Sequence, residues 1–160
     1  MPIQVGDTLP HAVLNTLRDG VQAVDTNDVF GGRKVVLFAV PGAFTPTCSA
    51  KHLPGYVERL ADFRARGIDV ACLSVNDAFV MDAWARSQSV PEGVQMLADG
   101  NGAFVEALGL ELDASAFGMG KRSKRFALYA EDGVVKQLHV EAPGEFKVSS
   151  AEYVLEHLPA

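Results

Sequence analysis

Residues 35–52 read VVLFAVPGAFTPTCSAKH, and three changes of local structure follow one another within them. Val35 to Val40 is a short, continuous apolar run, the pattern of a strand buried on both faces. Pro41-Gly42 ends that strand and begins a loop. Thr45 suits an N-cap, and Pro46 suits the first helical position, where its missing N–H costs nothing. Cys48 then stands third in a helix, inside the first turn. Free backbone N–H groups and the positive end of the helix dipole face outward there.

The chain repeats this alternation on either side. Val70 to Val75 (VACLSV) is a second buried run, bounded by Gly67 and by Asn76-Asp77. Phe126 to Ala130 and Val134 to Val140 flank Glu131-Asp132-Gly133, which reads as a hairpin turn. Leu53, Val57, Leu60 and Arg64 fall at helical spacing and predict one helix after Cys48. Asp77 is a good N-cap for a helix over Ala78 to Ser89, which places Phe79, Val80, Ala83 and Trp84 on one face. Ala103 to Leu108 predicts a shorter helix. Ser149 with Glu152 three residues on forms a capping box that opens a last helix through His157. A strand–helix–strand unit wants parallel pairing and a right-handed crossover, and the later hairpin adds antiparallel strands. The expectation is one domain over residues 1–160, a three-layer α/β/α sandwich with a mixed central sheet. A thioredoxin-like arrangement satisfies this order, and a small flavodoxin-like sheet remains open on periodicity alone.

The composition excludes several classes. Of the 160 residues 48% are hydrophobic and 21% charged, which is a globular rather than a disordered balance. The net charge of -6 argues against a nucleic-acid footprint. No apolar run approaches the roughly 18 residues of a membrane span. The N-terminal stretch lacks a basic segment followed by an apolar one, so a cytoplasmic, reducing location is expected, with both cysteines resting as thiols. His11, His139 and His157 lack metal-ligand spacing with one another or with the cysteines, so no metal is expected. Gly118-Met119-Gly120-Lys121 resembles a phosphate loop but has Ser115 and Arg122 where Gly and Ser or Thr are needed.

Cys48 is the residue that carries chemistry. A free cysteine has a pKa of about 8.5, and helix N-termini and nearby cations lower it toward the nucleophilic thiolate. Thr45 lies three residues earlier, so its hydroxyl can sit beside the sulfur and donate to the thiolate. The alternative for Cys48 is a small buried hydrophobe. Lys121-Arg122-Ser123-Lys124-Arg125 reads, by itself, as a solvated surface or an anion patch. His52, one turn after Cys48, reads as a supporting or packing residue.

The stretch PGAFTPTCSAKHLPG (Pro41 to Gly55) resembles the active-site signature of the peroxiredoxins, and most of all their type II, atypical two-cysteine branch. The resemblance continues through SVNDAFVMDAW (Ser74 to Trp84), KRSKRFALYAEDGVVK (Lys121 to Lys136) and GEFKVSSAE (Gly144 to Glu152). It implies a thioredoxin fold and the reduction of hydrogen peroxide and organic hydroperoxides with no metal, haem or flavin. Carried onto this chain, it makes Cys48 the peroxidatic cysteine, Thr45 a peroxide-binding residue, Pro41 a shield for the thiolate and Arg125 the distant arginine. It implies a sulfenic acid on Cys48, cleared by glutathione or glutaredoxin, or alternatively by thioredoxin with Cys72 as the resolving thiol. Cys72 lies in the middle of VACLSV, so a buried core thiol is the other reading of it. The resemblance also implies a homodimer with an interface around Phe44 and Phe79.

Overall fold

The run Val35–Val40 lies within β3 (Lys34–Val40), the strand that divides the two cores of the molecule. Val36, Phe38 and Val40 enter one hydrophobic cluster, and Val35, Leu37 and Ala39 enter the other. This follows from the two-residue period of a strand, which sends successive side chains to opposite faces. The computed structural model describes residues 2–158; Met1, Pro159 and Ala160 lie outside the described residues.

On one side of β3 lies β4 (Asp69–Ser74), paired parallel, and then β5 (Val94–Ala98), also parallel. On the other side lie β8 (Phe126–Glu131) and β9 (Val134–Val140), both antiparallel to their neighbours. An N-terminal hairpin, β1 (Val13–Leu17) and β2 (Val21–Asp25), completes a seven-stranded mixed sheet in the order β2-β1-β5-β4-β3-β8-β9. A short separate ribbon, β6 (Glu111–Asp113) and β7 (Lys121–Ser123), leads the chain back to Arg125. The antiparallel strands beside β3 remove the wholly parallel flavodoxin-like alternative. Helices cover both faces. α2 (Leu53–Glu58), α3 (Leu60–Ala65), α4 (Ala78–Ser87) and α6 (Ala151–His157) pack on the Phe38 side. α1 (Thr26–Phe30) and α5 (Ala103–Leu108) pack on the Leu37 side. The arrangement is thioredoxin-like. No helix among the described residues is long and apolar enough to cross a membrane.

Several local expectations change in detail. The helix expected through Leu53–Arg64 breaks at Arg59, whose φ of -99° and ψ of 6° leave the helical region. The last helix is capped by Ser150, which accepts from the Tyr153 N–H, and not by Ser149. Ser149 is buried and bonded to Glu141 instead. α4 buries Ala78, Met81 and Trp84, which leaves Phe79 62% exposed, so the expected apolar face is turned by about one residue. Strands β1, β2 and β5 were not anticipated by the apolar runs. The hairpin turn is as expected, with Asp132 and Gly133 at φ of 49° and 76°, the pair of positive values that suits the twist of the flanking strands.

Phe38 stacks on Tyr56 with ring centroids 4.0 Å apart and planes within 1°. Both side chains are fully buried, so this pair joins the sheet to α2. Phe38→Ala should lower stability by about 3–5 kcal/mol, read as a lower urea midpoint. A loss below about 1 kcal/mol would show that this contact does not hold α2 to the sheet.

Candidate active site

Two strand ends bring the site together. β3 and β8 pair antiparallel with Ala39 opposite Phe126, so the end of β3 lies beside the start of β8. The chain leaving β3 runs into the Cys48 loop, and the chain entering β8 delivers Arg125. Residues 77 apart in sequence therefore meet, and Arg125 Nη2 donates to Cys48 Sγ at 3.0 Å.

The Cys48 loop is tightly built. Gly42 is buried, and a Cβ there would meet Arg122 Nη1 at 2.9 Å and Thr45 Cγ2 at 3.2 Å. The Ala43 N–H donates to Asn76 Oδ1 at 3.0 Å, which ties the loop to the chain leaving β4. Helical structure begins at Pro46, so Cys48 stands in the third position as expected. The next five residues, Cys48–His52, form a π-turn in which the Leu53 N–H bonds to the Cys48 carbonyl. Such turns are rare and recur at functional sites. Cys48 itself has no exposed surface.

Thr45 is half-buried in this loop, and its Oγ1 donates to the Gly42 carbonyl at 2.7 Å. Its proton is thereby committed within the loop, which differs from the expected donation toward sulfur; the oxygen lone pairs remain as acceptors. Pro41 is half-buried, and its carbonyl accepts from Arg122 Nη1 at 3.4 Å. Arg122 also donates through Nε to the Met119 carbonyl at 3.1 Å. It therefore backs the loop and departs from the solvated reading of the basic cluster. Lys121 fits that reading: it is exposed and lies 3.7 Å from Glu111. Lys124 is exposed.

His52 has a role that its sequence position did not disclose. It is fully buried, and its Nε2 lies 3.1 Å from the Ser149 carbonyl while Nδ1 lies 2.7 Å from Arg125 Nη1. A carbonyl only accepts and a guanidinium only donates, so Nε2 carries the proton and Nδ1 receives the arginine. Burial first, and then the Arg125 charge, push the imidazole down to about 3. Neutral His52 thus fixes one arm of the guanidinium while the other arm faces the sulfur. The Phe146 ring lies 5.8 Å from the Arg125 guanidinium carbon, within cation–π range.

Cys72 lies in mid-strand β4, opposite Phe38 on one side and Met96 on the other, and is fully buried. Burial pushes its thiol up, and negative charge at Cys48 pushes it further. Beside Arg125, a cleft of about 800 Å³ opens between Pro41, Thr47, Lys51, Lys124, Arg125 and Phe146. Among the described residues, no group of three or more His, Cys, Asp or Glu side chains is placed to hold a metal ion.

The buried imidazole has a measurable consequence. His52 stays neutral in the folded chain down to about 3, whereas its ordinary value is 6.5. Between those values the unfolded chain binds the extra proton, so stability falls as pH drops through the window. In His52→Asn that contribution disappears. The urea midpoint of the variant should depend less on pH between 6.5 and about 3 than that of the unsubstituted protein; equal slopes would show that His52 is not buried in its neutral form.

Comparison with known proteins places the fold. The Redoxin family model matches residues 4–155. Peroxiredoxin-2E, chloroplastic, from Arabidopsis thaliana is 50% identical over 162 residues, covering 98% of this chain and 69% of its own. The crystal structure of reduced Prx3 in complex with H2O2 from Vibrio vulnificus is 51% identical with a TM-score of 0.92, covering 96% of this chain and 98% of its own. A crystal structure from Burkholderia cenocepacia that carries a thioredoxin reductase name is 52% identical with a TM-score of 0.98 over 100% of both chains. The family match, these relatives and the shared fold together place this chain in the redoxin family, as a peroxiredoxin of the type II branch.

Proposed function

We propose that Cys48 is the peroxidatic cysteine, that hydrogen peroxide and organic hydroperoxides are its substrates, and that glutathione or glutaredoxin restores it. The observation that carries the reading is the 3.0 Å contact from Arg125 Nη2 to Cys48 Sγ. A fixed cation with several donors stabilises the thiolate before reaction and the negative charge that develops on oxygen during it. The sulfur attacks the nearer oxygen of the hydroperoxide. An S–O bond forms, the O–O bond breaks, and the departing oxygen takes a proton to leave as water or an alcohol. Cys48 is oxidised to the sulfenic acid. The Thr45 hydroxyl oxygen, whose own proton is held by Gly42, is suited to accept from the peroxide O–H. Pro41 borders the cleft, which supports the reading that its ring shields the thiolate.

An outside thiol then attacks the sulfenic sulfur, releasing water and leaving a mixed disulfide, which a second thiol reduces. Two features support glutathione. Cys72 is held in mid-sheet with its thiol pushed up, which disfavours the thiolate that must attack. The cleft beside Arg125 carries Lys51 and Lys124 on its rim, complementary to a small thiol with two carboxylates. Because Cys48 has no exposed surface, the π-turn must open for that thiol to reach it. The thioredoxin reading keeps one supporting observation, that Cys48 and Cys72 belong to the same core cluster. Two buried free thiols suit a cytoplasmic, reducing location.

A homodimer fits the surface. Phe44 and Phe79 are 55% and 62% exposed, and the Ala43–Asn76 bond draws their two segments together. Exposed aromatics of this kind mark association surfaces.

Cys48→Ser should reduce peroxide consumption to the uncatalysed rate, while Cys72→Ser should keep turnover with glutathione plus glutaredoxin. Peroxidase activity in the Cys48 variant removes the assignment, and loss of glutaredoxin-driven turnover in the Cys72 variant transfers the resolving role to Cys72. Phe79→Glu should shift the protein from dimer to monomer in sedimentation at micromolar concentration; an unsubstituted protein that already sediments as a monomer rules the dimer out.

A further inference from the structure

The segment 141–149 touches the candidate site at several points, and one carboxylate folds that segment back on itself. Glu141 Oε2 accepts from the backbone N–H groups of Lys147, Val148 and Ser149 at 2.9, 2.8 and 2.8 Å, and from Ser149 Oγ at 2.7 Å. Oε1 also accepts from the Lys147 N–H, at 2.9 Å. The residue is buried. Burial opposes its charge, but the bonds from Ser149, Lys147 and Val148 outweigh that and hold the carboxyl below its ordinary value.

From this closed loop three contacts run to Arg125. The Glu141 N–H donates to the Arg125 carbonyl at 2.9 Å. The Phe146 ring lies beside the guanidinium. The Ser149 carbonyl accepts from His52 Nε2, and also from Tyr56 Oη at 2.7 Å, and His52 Nδ1 in turn receives Arg125 Nη1. An arginine side chain loses much rotamer freedom when fixed. Its donors stabilise a reacting sulfur only if they are aimed before the reaction begins. The loop does that aiming from both ends of the residue, through the backbone carbonyl and through the guanidinium.

We propose that Glu141 is a positioning residue for Arg125: its carboxylate closes the 141–149 loop, and the loop, through the Ser149 carbonyl and His52, holds Arg125 Nη2 on the Cys48 sulfur. This rests on Cys48 being the peroxidatic thiol. The charge of the carboxylate matters because four donors converge on it, three of them backbone N–H groups that cannot accept. An amide whose oxygen takes the place of Oε2 carries no charge and turns its NH2 group toward the Lys147 N–H, which also donates.

Glu141→Gln and Ser149→Ala test the proposal. Three quantities are read: kcat/KM for hydrogen peroxide, the pH profile of iodoacetamide alkylation at Cys48 followed by peptide mass, and thermal melting. Glu141→Gln should lower kcat/KM about 10- to 100-fold and move the alkylation profile toward alkaline pH, with a cooperative melt retained. Ser149→Ala removes one donor and leaves the carboxylate, so it should move both quantities the same way by less. An unmoved alkylation profile in Glu141→Gln overturns the proposal even if kcat/KM falls, because general loosening slows turnover without acting on the sulfur. If Glu141→Gln does not melt cooperatively, Ser149→Ala decides, and an unchanged profile there overturns it. Alkylation is measured without peroxide, so its result stands apart from the peroxidase reading, which Cys48→Ser tests.

Discussion

The contact between the Arg125 guanidinium and the Cys48 sulfur is the constraint to which the surrounding structure answers. Cys48 has no exposed surface, and a buried charge without a partner is costly. An ionised sulfur at this place would therefore need a cation and donors fixed in place. A surface arginine would bring neither economy of motion nor exclusion of water. The sheet supplies the position by pairing β8 directly against β3, so that the last residue before β8 arrives at the loop after β3. Gly42 allows the loop to lie close to Arg122 and Thr45, and the Phe38–Tyr56 stack anchors the helix that follows.

The polar network behind Arg125 follows from the same constraint. A guanidinium has five donors, and those not aimed at sulfur must be satisfied where water is scarce. His52 takes one of them in its neutral form, and Ser149 fixes the tautomer that makes this possible. Each polar group in the chain from Glu141 to Cys48 has a partner of opposite character, and among the described residues no buried side-chain polar atom lacks one. A network satisfied in this way favours one geometry over its alternatives.

What was legible in the sequence was local. A continuous apolar run, Pro41-Gly42, and the Thr45-Pro46 start fixed β3, the loop and the place of Cys48, because each depends on neighbours a few residues away. Arg125 was one cation among four until resemblance to a family selected it, since nothing in Lys121–Arg125 encodes which side chain turns inward. Ser149 and Ser150 are chemically interchangeable as caps, and only the presence of Glu141 decides that Ser149 goes inward while Ser150 caps α6. Phe79 looked like core by hydrophobicity, but α4 is set by Trp84, whose Nε1 bonds to Ser49 Oγ at 3.0 Å. β1, β2 and β5 mix polar residues into short strands near one side of the sheet, so they lack the unbroken apolar signal of β3 and β4.

The two cysteines show how little the residue type decides. Both are free, both are fully buried, and both belong to the same core cluster. Cys72 is flanked by Phe38 and Met96 within a paired strand, where its backbone is engaged on both sides and no cation donates to it. Cys48 sits where a strand has ended, in a first helical turn widened to a π-turn, with an arginine donor on its sulfur. Burial alone makes a thiol inert, as at Cys72. Burial combined with a fixed cation is the arrangement that would let a sheltered sulfur act as the proposed nucleophile, and the border between strand and helix is where this fold provides it.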